Sequence, residues 1–331
     1  EFYSPAARYS SRDNLIKAKE VEFIQVADAL IYPDSGMITV QRNAKMKTLT
    51  HSKIVANAIT KYHRIDSATV DIFARRDYVG TGMYTYKDKS GTKQKIRFRT
   101  IGVDSSFQTY ADGEISDERG FTLSPYFAYK GNVHLDASKK DLSFAGYSRI
   151  THQCETSVPV TWFKFNSALD PEDIYIPISK TMVDEEANIL TSAIVLDPDT
   201  GEVYTSFVSM KRDDDDINLL PAEGYIHYHD ASKEYRISNI NKLTQQSLPG
   251  QYLSLSSEEC RSYAEGRLGF GINPGQVDMS TIGNVKHDMK TGKVELDLML
   301  LIDFFFENKL IDDMGKVMAE NALGEPVDFE R

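Results

Sequence analysis

The stretch Gly224-Tyr225-Ile226-His227-Tyr228-His229-Asp230-Ala231-Ser232-Lys233-Glu234-Tyr235-Arg236-Ile237 decides the fold. On either side of Asp230-Ala231-Ser232-Lys233, apolar and polar residues alternate with the period of a strand that buries one face, which sends Ile226 and Tyr228 inward. Asp and Ser side chains bond their own backbone in chain reversals, so the polar centre is a turn and the whole is a β-hairpin. The same wording occurs upstream, one residue shorter, as Gly131-Asn132-Val133-His134-Leu135-Asp136-Ala137-Ser138-Lys139.

Reversals of the same chemistry stand at Pro33-Asp34-Ser35-Gly36, Asp88-Lys89-Ser90-Gly91, Asp197-Pro198-Asp199-Thr200-Gly201 and Met289-Lys290-Thr291-Gly292. Each lies between strand-like runs, and Gly supplies the positive φ that such turns need. A shorter element, Ala then an acid then a small residue, recurs at Ala27-Asp28-Ala29, Ala111-Asp112-Gly113, Ala222-Glu223-Gly224 and Ala264-Glu265-Gly266. Small residues suit places where a sheet bends or two walls approach closely. The fold expected is all-β: an antiparallel, hairpin-built roll or elongated sandwich.

Helix is scarce. Leu310, Ile311, Met314, Val317, Met318 and Ala322 repeat at helical spacing, so an amphipathic helix is expected from Asn308, its N-cap, to Leu323, ended by Gly324-Glu325-Pro326. Its apolar stripe is expected to cap the open end of the roll formed by Val294 to Phe306. Ser256-Ser257-Glu258-Glu259 reads as a capping box that would open a short helical turn. The runs Asp184-Glu185-Glu186-Ala187 and Asp213-Asp214-Asp215-Asp216 read as solvated loops.

The chain of 331 residues is long enough for two cores. A change of texture near Thr151 to Pro159 divides it into an N-terminal extension (1–20), a first β domain (21–155), a second (156–306), which could be continuous with the first, and a C-terminal helix and tail (307–331). With 38 Lys and Arg against 49 Asp and Glu, the net charge of -11 disfavours a surface that tracks phosphates, so nucleic acid is not expected as a partner. The longest apolar run, around Leu298 to Phe306, is interrupted by Asp303 and is too short for a membrane helix. The opening Glu-Phe-Tyr-Ser-Pro reads as that of a processed chain or a piece of a longer one.

Gly266 to Gly275 has the wrong spacing for a dinucleotide fingerprint and places Pro274 where a helix would start. No metalloprotease or hydrolase signature occurs. His227 and His229 share one strand face and are the weak candidates for a metal site, with Asp230 beside them and His134 in the echoing hairpin. The competing reading puts both imidazoles on a solvent face and Asp230 in the turn, and this one is preferred, with no metal or cofactor expected. Asp197 to Glu202 resembles the start of a calcium loop but lacks the distant bidentate Glu, so a hairpin turn is expected. Tyr84 with Tyr86, and Tyr126 with Tyr129, could form a sugar platform, or simply pack. No acid pair stands out for glycoside hydrolysis, and no catalytic residue is assigned. Cys154 and Cys260 are either two buried thiols or one long-range disulfide, which would imply a compartment outside the reducing cytosol.

The segments Phe121-Thr122-Leu123-Ser124-Pro125-Tyr126-Phe127-Ala128-Tyr129-Lys130-Gly131-Asn132-Val133-His134-Leu135 and Ala264-Glu265-Gly266-Arg267-Leu268-Gly269-Phe270-Gly271 resemble the strand-and-glycine rungs of OstA-type, lipopolysaccharide-transport β-jellyroll proteins, and the texture is similar to that of large envelope proteins of the Bacteroidota. The resemblance implies a β-jellyroll in the cell envelope, periplasmic or outer-membrane-associated, whose concave face holds acyl chains, with no catalytic residues. Three functions are therefore carried forward. The first is a protein that binds or bridges lipid or glycolipid, which needs a continuous apolar groove. The second is an assembly module of a larger envelope protein, joined to a protein partner or to the rest of that chain, which needs filled cores and a docking edge. The third is a carbohydrate-binding or carbohydrate-active β protein, whose active form would need two converging carboxylates.

Overall fold

The structure is a computed structural model that describes residues 1–42, 45–152, 154, 158–271, 277–304 and 308–320. It is all-β, with 56% strand against 6% helix, so the hairpin grammar of the sequence is the fold. The chain divides into two compact units: Glu1–Thr151 with Lys164–Ile174, and His152–Phe163 with Tyr175–Arg331.

In the first unit a small sheet joins β1 (Ala6–Ser10), β2 (Leu15–Lys19) and β5 (Ile38–Val40). Residues 1–20, which read in sequence as an extension, therefore contribute two paired strands. The large sheet runs β3 (Ile24–Val26), β4 (Ala29–Tyr32), β6 (Leu49–Ala56), β7 (His63–Ala74), β8 (Asp77–Lys87), β9 (Lys93–Val103) and β10 (Thr109–Ile115). It continues through β12 (Phe127–Asp136) and β13 (Leu142–Ile150) to β14 (Phe163–Leu169), and β11 (Thr122–Ser124) pairs beside β12. Because β14 pairs next to β13, Lys164–Ile174 rejoins the first unit beyond the boundary drawn from texture. Its core is aromatic. Tyr86 meets Phe121 at 5.3 Å between ring centroids, and Tyr129 meets Phe144 at 5.1 Å and Phe165 at 5.8 Å.

The second unit holds a three-stranded sheet, β17 (Val203–Ser209), β16 (Thr191–Leu196) and β18 (Ile217–Pro221). Its seven-stranded sheet runs β15 (Ile176–Ile178), β19 (Gly224–His229), β20 (Glu234–Ser238), β21 (Tyr252–Ser256), β22 (Arg261–Leu268), β23 (Val277–Asp288) and β24 (Lys293–Phe304). Ile226, Tyr228, Tyr235 and Ile237 are buried, as the alternation requires. Cys154 and Cys260 form a disulfide across a sequence separation of 106, with Cα atoms 5.4 Å apart, and tie the segment before β14 to the turn between β21 and β22.

Turns follow the local chemistry of their acids. Asp136 Oδ1 accepts from the Ser138 N–H and hydroxyl, and Asp288 Oδ1 from the N–H groups of Lys290 and Thr291. Asp197 Oδ1 accepts from the N–H groups of Asp199 and Thr200 between β16 and β17, so this stretch is a hairpin turn. Ser256 Oγ accepts from the Glu259 N–H as a cap would, yet a turn follows instead of a helix because β22 must begin at Arg261. The run Asp213 to Asp216 is not wholly solvated. Asp216 is buried, accepting from the Tyr204 hydroxyl at 2.5 Å and the Asp213 N–H at 3.1 Å.

Among the described residues the fold has two α-helices. The five-residue α1 (Ile240–Thr244), unforeseen in the sequence, starts where Asn239 Oδ1 accepts from the Lys242 N–H at 2.9 Å. The second, α2 (Asn308–Glu320), begins at the expected residue, and the expected end at Leu323 lies outside the described residues. Its expected role as a cap is corrected by the structure: Leu310, Ile311, Met314 and Val317 remain exposed. The stripe has the right spacing, but no strand of the described residues covers it.

Candidate functional site

The feature that sets the second unit apart begins in the alternation of β24, Lys293-Val294-Glu295-Leu296-Asp297-Leu298-Met299-Leu300-Leu301-Ile302-Asp303-Phe304. Val294, Leu296, Leu298, Leu300 and Ile302 fall on one face, and Lys293, Glu295 and Asp297 on the other. The pairing with β23 sets Val294 opposite His287, Leu296 opposite Val285 and Leu300 opposite Thr281. Residues directly opposite in an antiparallel pair share a face. The apolar stripe is therefore the continuation of the inner face of the sheet.

On β23 that face is core, with Val285 at 0% and His287 at 7% exposed. One strand further, Leu296, Leu298, Leu300 and Ile302 are between 39% and 50% exposed. The face runs off the edge of its cover within a single strand spacing of about 4.8 Å. The opposite face is charged towards the turn, with Lys293 Nζ 2.7 Å from Glu295 Oε1 and, from β22, Arg261 Nε 3.3 Å from Asp288 Oδ2, and becomes apolar further along at Met299 and Leu301, the latter 47% exposed. Covering a half-exposed leucine gains about 1 kcal/mol. The stripe and the exposed residues of α2 thus hold a sizeable unrealised gain.

Beneath β22 and β23 lies a buried polar knot. Thr205 Oγ1 is 2.5 Å from Ser262 Oγ and 2.9 Å from His287 Nδ1, tying β17 to β22 and β23. Burial, the largest influence, pushes the His287 imidazole below its ordinary value, so it is neutral in the fold. A hydroxyl bonded to an imidazole is one part of a nucleophilic site. Here Thr205, Ser262 and His287 are all buried, and their bonds are to one another.

The clefts of this unit mix polar and apolar walls, with Ile189, Leu190, Met210 and Pro221 among the apolar residues of one. That cleft, of about 740 Å³, is also lined by Lys180, Thr191, Ser192, Lys211, Glu223 and Gln251, among others. Lys180 is 3.6 Å from Glu223, and Lys211 Nζ donates to the Asp216 carbonyl. A second, of about 560 Å³, is lined by residues including Glu234, Arg261, Lys286, Asp288 and Glu295. Two of its acids are held as carboxylates: Asp288 is kept low by the Thr291 N–H, and Glu295 by the Lys293 ammonium. A glycosidase acid needs the opposite shift.

The sequence candidates fall elsewhere. His227 stacks on Tyr175 at 4.4 Å. His229 Nδ1 lies 2.8 Å from Ser232 Oγ, and burial and then the Arg236 charge depress its pKa. A neighbouring guanidinium repels a metal ion as it repels a proton. His134, in the first unit, is 2.7 Å from Asp112 Oδ1. Among the described residues no three His, Cys, Asp or Glu side chains gather as a metal set. Tyr86 and Tyr129 are buried, the Tyr86 hydroxyl donating to the Leu123 carbonyl, so they pack and do not form a sugar platform. The stripe on β24 was visible as alternation, but nothing in its spacing says whether a neighbour covers it.

Compared with protein-family models, with curated proteins and with solved structures, the chain gives no match. No helix among the described residues is long and apolar enough to cross a membrane.

Proposed function

We propose that this chain is a non-enzymatic assembly module of an envelope protein, a β structure that joins to a protein partner through the uncovered inner face of its last hairpin. The observation that carries the reading is the change from core on β23 to exposed leucines on β24. Filled cores support it further: Tyr129, Phe144, Tyr235 and Tyr252 are almost wholly buried, where a lipid carrier would keep an apolar groove open. An exposed apolar patch rimmed by charge is what interaction surfaces look like. The Cys154–Cys260 bond fits a compartment outside the reducing cytosol, periplasmic or facing the outer membrane.

A membrane is the less favoured occupant. The polar face of α2 carries Lys309 and Lys316 against Asp312 and Asp313, whereas helices that lie on anionic lipid are basic there. Light scattering and native mass spectrometry over a concentration series test the reading. Self-association or a stoichiometric protein complex, lost in Leu300→Asp with the fold retained, is the expected result. A strictly monomeric chain that co-purifies with lipid would replace it by the lipid-carrier reading.

A further inference from the structure

We propose that the partner is a second copy of this chain, joined by antiparallel pairing of β24 with β24 about a two-fold axis at Leu298, so that two seven-stranded sheets become one. This rests on the assembly reading and names its occupant.

The edge itself is the first argument. β24 pairs with β23 over twelve residues without a register shift, and among the described residues no strand pairs with its other side. Exposed edges are normally blunted by short strands, Pro, bulges or inward-pointing charges. The opposite end of the same sheet is blunted in this way, since β15 is the three residues Ile176-Pro177-Ile178. β24 is twelve residues long with no Pro and no register shift against β23, its charged residues lie on the other face, and its inner face carries five apolar residues and no charge.

The second argument is self-complementarity. In a two-fold pair, each residue faces the one equally far on the other side of the axis, and the two apolar faces stay on one side only when the axis passes through a residue. Four registers pair at least nine of the twelve residues of the strand, with axes at Asp297, Leu298, Met299 or Leu300. An axis at Asp297 sets that residue against itself; one at Met299 sets Glu295 against Asp303; one at Leu300 sets Asp297 against Asp303. Like charges directly opposite are destabilising. The axis at Leu298 alone opposes no two acids. It places Lys293 opposite Asp303, Glu295 opposite Leu301 and Asp297 opposite Met299. On the inner face it places Leu296 opposite Leu300, Val294 opposite Ile302, and Leu298 opposite itself. An arbitrary partner gives no reason for this internal symmetry, whereas a second copy requires it.

Directly opposite residues have Cβ atoms as close as about 4.5 Å, the upper end of what a disulfide spans, whereas diagonal neighbours are about 7–8 Å apart and out of reach. The test uses the full chain, with Cys154 and Cys260 intact, carrying Leu298→Cys, Leu296→Cys or Leu300→Cys, under mild oxidation. Leu298→Cys alone is expected to give a covalent dimer. Leu296→Cys and Leu300→Cys are expected to cross-link only when mixed with each other. Lys293→Glu, which sets acid against acid, should weaken the dimer several-fold. A dimer by mass in which Leu298→Cys fails to cross-link, or in which all three variants cross-link equally, overturns this register while leaving the assembly reading standing. A chain that stays monomeric at every concentration yet sediments with phosphatidylcholine vesicles overturns both, as does one that takes no partner at all.

Discussion

The hairpins β12–β13 and β23–β24 are built from one grammar and meet opposite fates. Each reverses at an Asp that accepts bonds from its own turn, and each alternates apolar with polar residues. Each also needs glycine where strands approach closely. A Cβ on Gly131 would lie 2.6 Å from the Gly146 Cα, and one on Gly283 would lie 2.9 Å from the Leu298 Cα. In the first hairpin the apolar face is core, with Phe127, Tyr129, Val133 and Phe144 at 1% exposure or less. In the second the equivalent face on β24 is open. Alternation therefore says which face is apolar, while cover comes from elsewhere in the chain: Phe121 and Phe165 close over Tyr129, and no described element does the same for Leu298.

The largest expected effect separates the units. The only two cysteines are in the second, and their bond closes a loop of 106 residues. In the chain-entropy model such a loop stabilises by about 4–5 kcal/mol. Cys154→Ser with Cys260→Ser should lower the melting transition of the second unit, and hydrogen exchange should show the loss there alone. An equal loss of protection around β12 and β13 would break the comparison, because the two cores would then melt as one.

Next comes Phe144→Ala. Phe144 is fully buried against Tyr86 and Tyr129, and truncating such a side chain costs about 3–5 kcal/mol. Urea denaturation should show that loss, while Leu300→Ala on β24 should cost less than about 1 kcal/mol at a concentration where the chain is monomeric. Similar costs at the two sites would mean that the β24 face is covered after all.

Acidification sharpens the comparison, since each hairpin has a buried imidazole near it. His63 Nε2 donates to the Lys139 carbonyl at the first turn, and His287 sits on β23. Burial, the largest influence at both, lowers both pKa values from 6.5. The unfolded chain then binds protons that the folded chain refuses, so stability is full above about pH 6.5 and declines as pH falls below it. His287→Gln should flatten this decline in the second unit and leave it in the first; His63→Gln should do the reverse. A pH dependence unchanged by either variant would show that both imidazoles are charged in the fold.

Much of the architecture was legible because it is local. The acid-led turns, the strand alternation and the start of α2 at Asn308 are fixed by residues within a few positions of one another. α1 was not, since its five residues are too few to show a period, and only the Asn239 cap marks it. The return of Lys164–Ile174 to the first unit was not legible either, because the pairing of β14 with β13 spans residues that carry no signal of it. For the candidate site, the apolar face of β24 could be read and its exposure could not. The acid at Asp216 shows the converse: a charge run that reads as solvent contains a buried carboxylate, because Tyr204 twelve residues earlier donates to it.

The smallest expected effect on stability is the most informative about function. In a covered strand or a capping helix, Asp in place of a leucine or methionine buries an unpaired charge and costs several kcal/mol. Leu298 and Met314 are 39% and 38% exposed in the single chain. Leu298→Asp and Met314→Asp should therefore shift the melting temperature of the dilute, monomeric chain by no more than a degree or two. At high concentration the outcome should differ between them. Leu298→Asp sets two carboxylates face to face on the proposed axis and should abolish association, whereas Met314→Asp acts on a helix outside the strand pair and should weaken it less. A large drop in melting temperature for Met314→Asp in the monomer would restore α2 as the cap of its own sheet. The same drop for Leu298→Asp would make the β24 face part of the core, and the contrast with β12–β13 would disappear.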